Sequence, residues 1–102
     1  MQDFILAKRE EIAELCRQHH VRRLAVFGSA TRDDFDPTRS DVDIRVEFNE
    51  DATENYAENF FQLHDALVEL FGRKVDVISS KVIRNPYFRK AIEDSQVTLY
   101  AA

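Results

Sequence analysis

DVDIRVEF, residues 41–48, alternates without a break between charged and apolar side chains. Successive side chains on a β-strand point to opposite faces, so the run predicts a strand over 41–48. Val42, Ile44, Val46 and Phe48 would line one face, and Asp41, Asp43, Arg45 and Glu47 the other. Carboxylates at neighbouring positions on one face repel, and either water screens them or a cation lies between them. Upstream, residues 21–27 (VRRLAVF) predict another strand, whose Leu24 to Phe27 are continuously apolar, as in a strand buried on both faces. Gly28 ends it, and residues 29–39 read as a short helical turn and a polar loop closed by Pro37 to Ser40.

Further out, Phe4, Ile5, Ile12, Leu15 and Cys16 recur at helical spacing, which predicts an amphipathic helix over 2–19. NEDATEN is a polar connector with helix-start chemistry. Phe60, Leu63, Leu67, Leu70 and Phe71 predict a second helix over 56–71, with Gly72 as its C-cap. KVDVIS (74–79) is a third strand, 80–94 reads as helical with a break near Pro86, and VTLY (97–100) as a short final edge strand. The order α-β-β-α-β-α-β implies an α/β (α+β) fold, a mixed sheet with helices packed on it.

A chain of 102 residues fits a single domain, 1–102, with one modest core. A net charge of −5 argues against a broad nucleic-acid surface, which needs a basic footprint, but not against a small nucleotide. The single cysteine, Cys16, cannot form an internal disulfide, which suits a reducing cytoplasm. No apolar run is long enough to span a membrane, and the acidic, amphipathic N-terminus does not read as a signal peptide. A cytoplasmic location is therefore expected.

Gly28-Ser29 sits where a buried strand becomes a helical turn. Glycine lets the backbone approach a ligand closely, and Ser29 could cap the turn or donate to a phosphate oxygen. Hard divalent cations such as Mg²⁺ take oxygen ligands, and Asp41 and Asp43 can converge on one ion or bridge two. Asp76 stands between Val75 and Val77 in an apolar strand. Beside 41–48 it would join the carboxylate face; otherwise it would pair with Lys74 or Arg73 at a sheet edge. Arg45 shares the acidic face and could reach a triphosphate or pair with Glu47 or an Asp. His19 and His20 fall at a helix C-terminus, where a cation is favourable. His64 reads as a partly buried structural residue and Cys16 as core. Lys81, Arg84, Arg89 and Lys90 form a basic stretch, either a solvated helix face or a surface for a partner or triphosphate.

Gly28-Ser29, eleven further residues, Asp41-x-Asp43 and a later strand bearing Asp76 resemble the pattern of the DNA polymerase β-like nucleotidyltransferases. The resemblance is greatest to the minimal nucleotidyltransferase (MNT) domain and covers nearly the whole chain. Gly28, Ser29, Arg32, Ser40, Asp41, Asp43 and Asp76 stand at positions which that class uses. The loop from Ser29 to Asp41 is one residue longer than the commonest spacing, and Asp33 follows Arg32 where relatives often have Gly.

The resemblance implies a palm-like mixed sheet and the transfer of a nucleotide from a nucleoside triphosphate to a hydroxyl, with pyrophosphate leaving. It implies two Mg²⁺ ions held by Asp41, Asp43 and Asp76, Asp76 serving mainly the ion that activates the hydroxyl. Gly28 and Ser29 would hold the β- and γ-phosphates, and Arg32 would neutralise charge on the departing pyrophosphate. A chain of this length is expected to rely on a partner to complete the site. Stand-alone members of the class pair with HEPN-domain RNase toxins as antitoxins, which implies transfer of AMP from ATP to a tyrosine of the toxin. Two alternatives stay open: an antitoxin that neutralises by binding alone, and transfer to a small-molecule acceptor.

Overall fold

The alternation at 41–48 forms β2, Val42–Phe48, with Asp41 one residue outside it. The computed structural model describes residues 1–32, 35, 36, 38, 40–50 and 54–102. β1 is Val21–Phe27, β3 is Val75–Ser79 and β4 is Val97–Ala101. They make a four-stranded sheet in the order β3-β2-β1-β4. β1 runs antiparallel to β2 and β4, whereas β2 and β3 are parallel. A parallel pair needs a crossover, and the helix over 56–71 supplies it. The sheet is therefore mixed, as expected, with β4 at one edge and β3 at the other.

The predicted first helix is two: α1, Asp3–Leu6, and α2, Arg9–Gln18. The amide of Lys8 bonds to Ile5 O, three residues back, and this tighter turn separates them. The break lets the Gln2 amide reach Ala30 O at 3.1 Å while Ile5 and Ile12 both stay buried. α3, Tyr56–Phe71, has the expected bounds. Its start uses no side-chain cap, because Asn55 lies in the left-handed region (φ 60°). Residues 51–53 of the expected connector lie outside the described residues, as do Asp33 and Pro37. Gly72 is the C-cap at φ 63°, donating its amide to Val68 O. The break near Pro86 is the start of α4, Pro86–Ser95, where Asn85 accepts the Tyr87 and Phe88 amides. Proline cannot continue a helix but suits its first position. Ser80–Val82 is a separate 3₁₀ turn.

Val42, Ile44 and Val46 are fully buried with Leu24, Val26 and Val75, under Ile12 and Cys16 of α2 and Leu63 and Leu67 of α3. Each buried Leu or Ile contributes about 1.5–3 kcal/mol to folding. The opposite face carries Asp43, Arg45 and Glu47, with α4 packed against β1 and the turn that follows β1. Ile83 and Ile92 are buried there, outside the main cluster. No helix among the described residues is long and apolar enough to cross a membrane.

Candidate functional site

Asp43 faces Phe27 across the antiparallel β1–β2 pair and Asp76 across the parallel β2–β3 pair. The register thus brings two carboxylates side by side next to Gly28. Burial, then Asp76, then Asp41 push the Asp43 carboxyl above the usual carboxylate range, and Arg32 pulls in the other direction. Asp41, Asp76 and Arg32 are therefore all within electrostatic reach of Asp43. Asp41 pairs with Lys74 Nζ at 3.4 Å, an exposed contact that solvent weakens. Asp76 is exposed. The two cations considered for it are engaged elsewhere: Lys74 with Asp41, and Arg73 over the Phe4 ring at 4.4 Å.

Gly28 opens a 3₁₀ turn, Gly28–Thr31, with φ +72°. A β-carbon there would lie 2.6 Å from Asp43 Oδ2, so any other residue is strained at this φ and would displace the carboxylate. The Gly28 amide donates to Ser95 Oγ at 3.3 Å, and Gly28 O accepts from Thr31 Oγ1 at 2.7 Å. The capping reading of Ser29 is not met: Phe27 is the N-cap, and no side-chain hydrogen bond caps the turn. The far side of the turn is tied to the chain start, where Gln2 Nε2 donates to Arg32 O at 2.7 Å. Ser40 organises the approach to Asp41: its Oγ accepts the Asp36 amide at 2.9 Å.

Among the described residues, Arg45 pairs with neither Glu47 nor an Asp. Its Nε donates to Ser80 Oγ at 3.0 Å, its Nη1 to Gln96 Oε1 at 3.2 Å, and Glu93 Oε1 lies 3.7 Å away. Glu47 instead faces Arg22 at 3.7 Å. In the basic stretch, Lys81 lies over the Tyr56 ring, Arg89 donates to Ile83 O and Lys90 pairs with Asp94. His64 is partly buried, its Nε2 donating to Val75 O at 3.0 Å. Burial and then His20 lower the His19 pKa, which disfavours the charged form at this helix end. Cys16 is core, its thiol pushed up to about 12 by burial.

The fit of a divalent cation has two parts. The donor set of Asp41, Asp43 and Asp76 is all carboxylate oxygen, and the mutual repulsion at Asp43 is what a hard cation relieves. Among the described residues, however, no three His, Cys, Asp or Glu side chains are arranged closely enough to hold an ion. Asp43 and Asp76 form the pair in register, while Asp41 is turned to Lys74. The chemistry fits, and in this structure Asp41 faces Lys74 instead of completing the set.

Sequence reasoning missed Ser95, Glu93 and Gln96. They lie about two-thirds of the chain from Gly28, and no local pattern marks a hydrogen bond of that separation.

Residues 9–99 match the family model described as nucleotidyltransferase domain. A Methanocaldococcus jannaschii protein provisionally named protein adenylyltransferase MJ0128 is 41% identical over 91% of this chain and 89% of its own length. Among solved structures, one described provisionally as a minimal nucleotidyltransferase superposes with a TM-score of 0.77 at 31% identity, covering 94% of this chain and 95% of its own. The fold also matches a chain in the complex of a tri-AMPylated Shewanella oneidensis HEPN toxin with an MNT antitoxin, with a TM-score of 0.62 at 16% identity. That match covers 95% of this chain and 72% of the other.

Proposed function

This chain belongs to the nucleotidyltransferase domain family, and on that premise we propose that it is a Mg²⁺-dependent protein adenylyltransferase. It moves AMP from ATP to a tyrosine of a HEPN RNase toxin, for which it serves as antitoxin. The observation that carries the reading is the Asp43–Asp76 register beside the Gly28 turn. In the reaction a tyrosine oxygen bonds to the α-phosphorus, and the bond from that phosphorus to the bridging oxygen breaks. Pyrophosphate leaves, and the hydroxyl proton passes to solvent.

Asp41, Asp43 and Asp76 would hold the Mg²⁺, as two ions in the sense the family implies, and the ions would supply charge neutralisation at the attacking and leaving oxygens. Gly28 and Ser29 would seat the β- and γ-phosphates, Gly28 by the close approach its bare backbone allows, since its amide is given to Ser95 Oγ. The φ +72° backbone and the missing β-carbon at Gly28 let the turn and the carboxylates occupy adjacent space. Arg32, close enough to act on Asp43, offsets negative charge as pyrophosphate departs. The net charge of −5 suits a basic, RNA-cutting partner. The assignment of a protein acceptor draws on the M. jannaschii relative, and that of a HEPN partner on the Shewanella complex.

The test is intact-mass measurement of a co-expressed HEPN partner. It gains one or more AMP units with wild type and none with Asp41→Asn/Asp43→Asn. Full neutralisation by the double variant with no adduct from wild type would instead establish an antitoxin that acts by binding.

A further inference from the structure

Gly28 is held from two sides. On one, its missing β-carbon makes room for Asp43 Oδ2; on the other, its amide donates to Ser95 Oγ at the end of α4. That amide is thereby committed to α4. The Ser95 hydroxyl lies 3.4 Å from both Ala91 O and Ile92 O, so it can donate into its own helix while accepting from Gly28.

The end of α4 is in turn fixed by Arg45. Its side chain is only 15% exposed, and it reaches Gln96, Glu93 and Ser80 with one guanidinium. Arg45 is two residues from Asp43 on the same face of β2, and its neighbour across β1 is Ala25. A small residue there leaves space for the guanidinium to lie across β1 towards α4. Buried Ile92 anchors the same helix by packing. One polar chain thus runs from β2 through Arg45 to the end of α4, and from Ser95 back to Gly28 beside Asp43.

We infer that Ser95 is a positioning residue for the Gly28–Thr31 turn, and that Arg45 acts through Ser95 by fixing the end of α4. The inference rests on the nucleotide-binding reading of that turn. Ser95 touches no reacting atom; it sets where the turn stands relative to Asp43. A turn that wanders loses grip on the phosphates in ground and transition states alike. The kinetic signature is a raised KM for ATP with kcat nearly unchanged. A merely structural role would lower the folded fraction and leave the affinity of the folded protein alone.

The experiment uses the full chain with Ser95→Ala, Ser95→Thr, Arg45→Met and the Ser95→Ala/Arg45→Met pair. Amide exchange at Gly28 is followed by NMR, and binding of a non-hydrolysable ATP analogue with Mg²⁺ by calorimetry. Ser95→Ala should speed Gly28 exchange about tenfold and weaken binding about fivefold, the scale of one hydrogen bond. Ser95→Thr, which keeps the hydroxyl, should restore both. Arg45→Met should weaken binding in wild type and add little to Ser95→Ala, because the two act in series. Unchanged Gly28 exchange in Ser95→Ala overturns the inference, as does unchanged affinity despite lost protection. A wild type that binds no nucleotide overturns the underlying functional reading, and this inference with it.

Discussion

Gly28 and Asp43 are packed so closely that a β-carbon on the glycine would stand 2.6 Å from the carboxylate oxygen Oδ2. The contact joins the end of β1 to the middle of the acidic face, and it separates the two glycines of this chain by function. Both have positive φ, +72° at Gly28 and +63° at Gly72, but a β-carbon at Gly72 would meet nothing within 4 Å.

Gly72→Ala should therefore lose about 1–2 kcal/mol, the backbone cost of a left-handed conformation in a non-glycine residue. Gly28→Ala should lose more and also fail to bind nucleotide, since the added methyl displaces Asp43. Urea denaturation of both variants and of Gly28→Ala/Asp43→Ala checks this. Removing the carboxylate should bring the cost of Gly28→Ala down to that of Gly72→Ala. Equal costs for the two single variants would contradict the contact.

The raised pKa of Asp43 sets a pH dependence. Between the ordinary carboxylate value and the raised one, the folded chain binds more protons than the unfolded chain. Stability from this group thus falls as pH rises through that window, and the penalty remains in full above it. Asp43→Asn removes the penalty, so metal-free Asp43→Asn should be at least as stable as wild type at pH 7. The difference should vanish as pH falls below the window. Denaturation curves at a series of pH values decide it; a variant clearly less stable at pH 7 would make Asp43 a structural acceptor.

Mg²⁺ should raise the melting temperature of wild type, because an ion that binds only the folded state stabilises it by mass action. Asp43→Asn/Asp76→Asn should show no such rise. Scanning calorimetry with Mg²⁺ and with excess chelator makes the comparison, and equal shifts in both proteins would remove the metal from this face.

Cys16, buried beneath the sheet with its thiol pushed up to about 12, should not react with a thiol reagent at pH 8 until the chain unfolds. Labelling against urea concentration should follow the unfolding transition. Rapid labelling of the native protein would mean that the α2 face opens locally.

Much of this was readable in advance, for reasons specific to each element. The period-2 run gave β2 and its two faces, because alternation survives whatever the neighbours are. Phe60, Leu63, Leu67 and Phe71 with Gly72 marked both the face and the end of α3. The split of the first helix was not visible, since Ile5 and Ile12 keep helical spacing across it; long-range bonds from Gln2 go with the break. Asp76 could be placed beside Asp43 only as an option, because a sequence does not state which strands pair. The partners of Arg45 were invisible for the same reason: Glu93 and Gln96 reach it only once α4 folds back over β1. Gly28 was legible as a site of close approach, but that Asp43 is what approaches it came from the register.

The most direct test of adenylyl transfer is to supply ATP labelled at the α- or the γ-phosphorus, with Mg²⁺ and a purified HEPN partner. The account predicts label in the partner from α-labelled ATP only, release of pyrophosphate, and no incorporation with Asp43→Asn/Asp76→Asn. Incorporation from γ-labelled ATP, or no incorporation from either by a wild type that binds nucleotide, would contradict it.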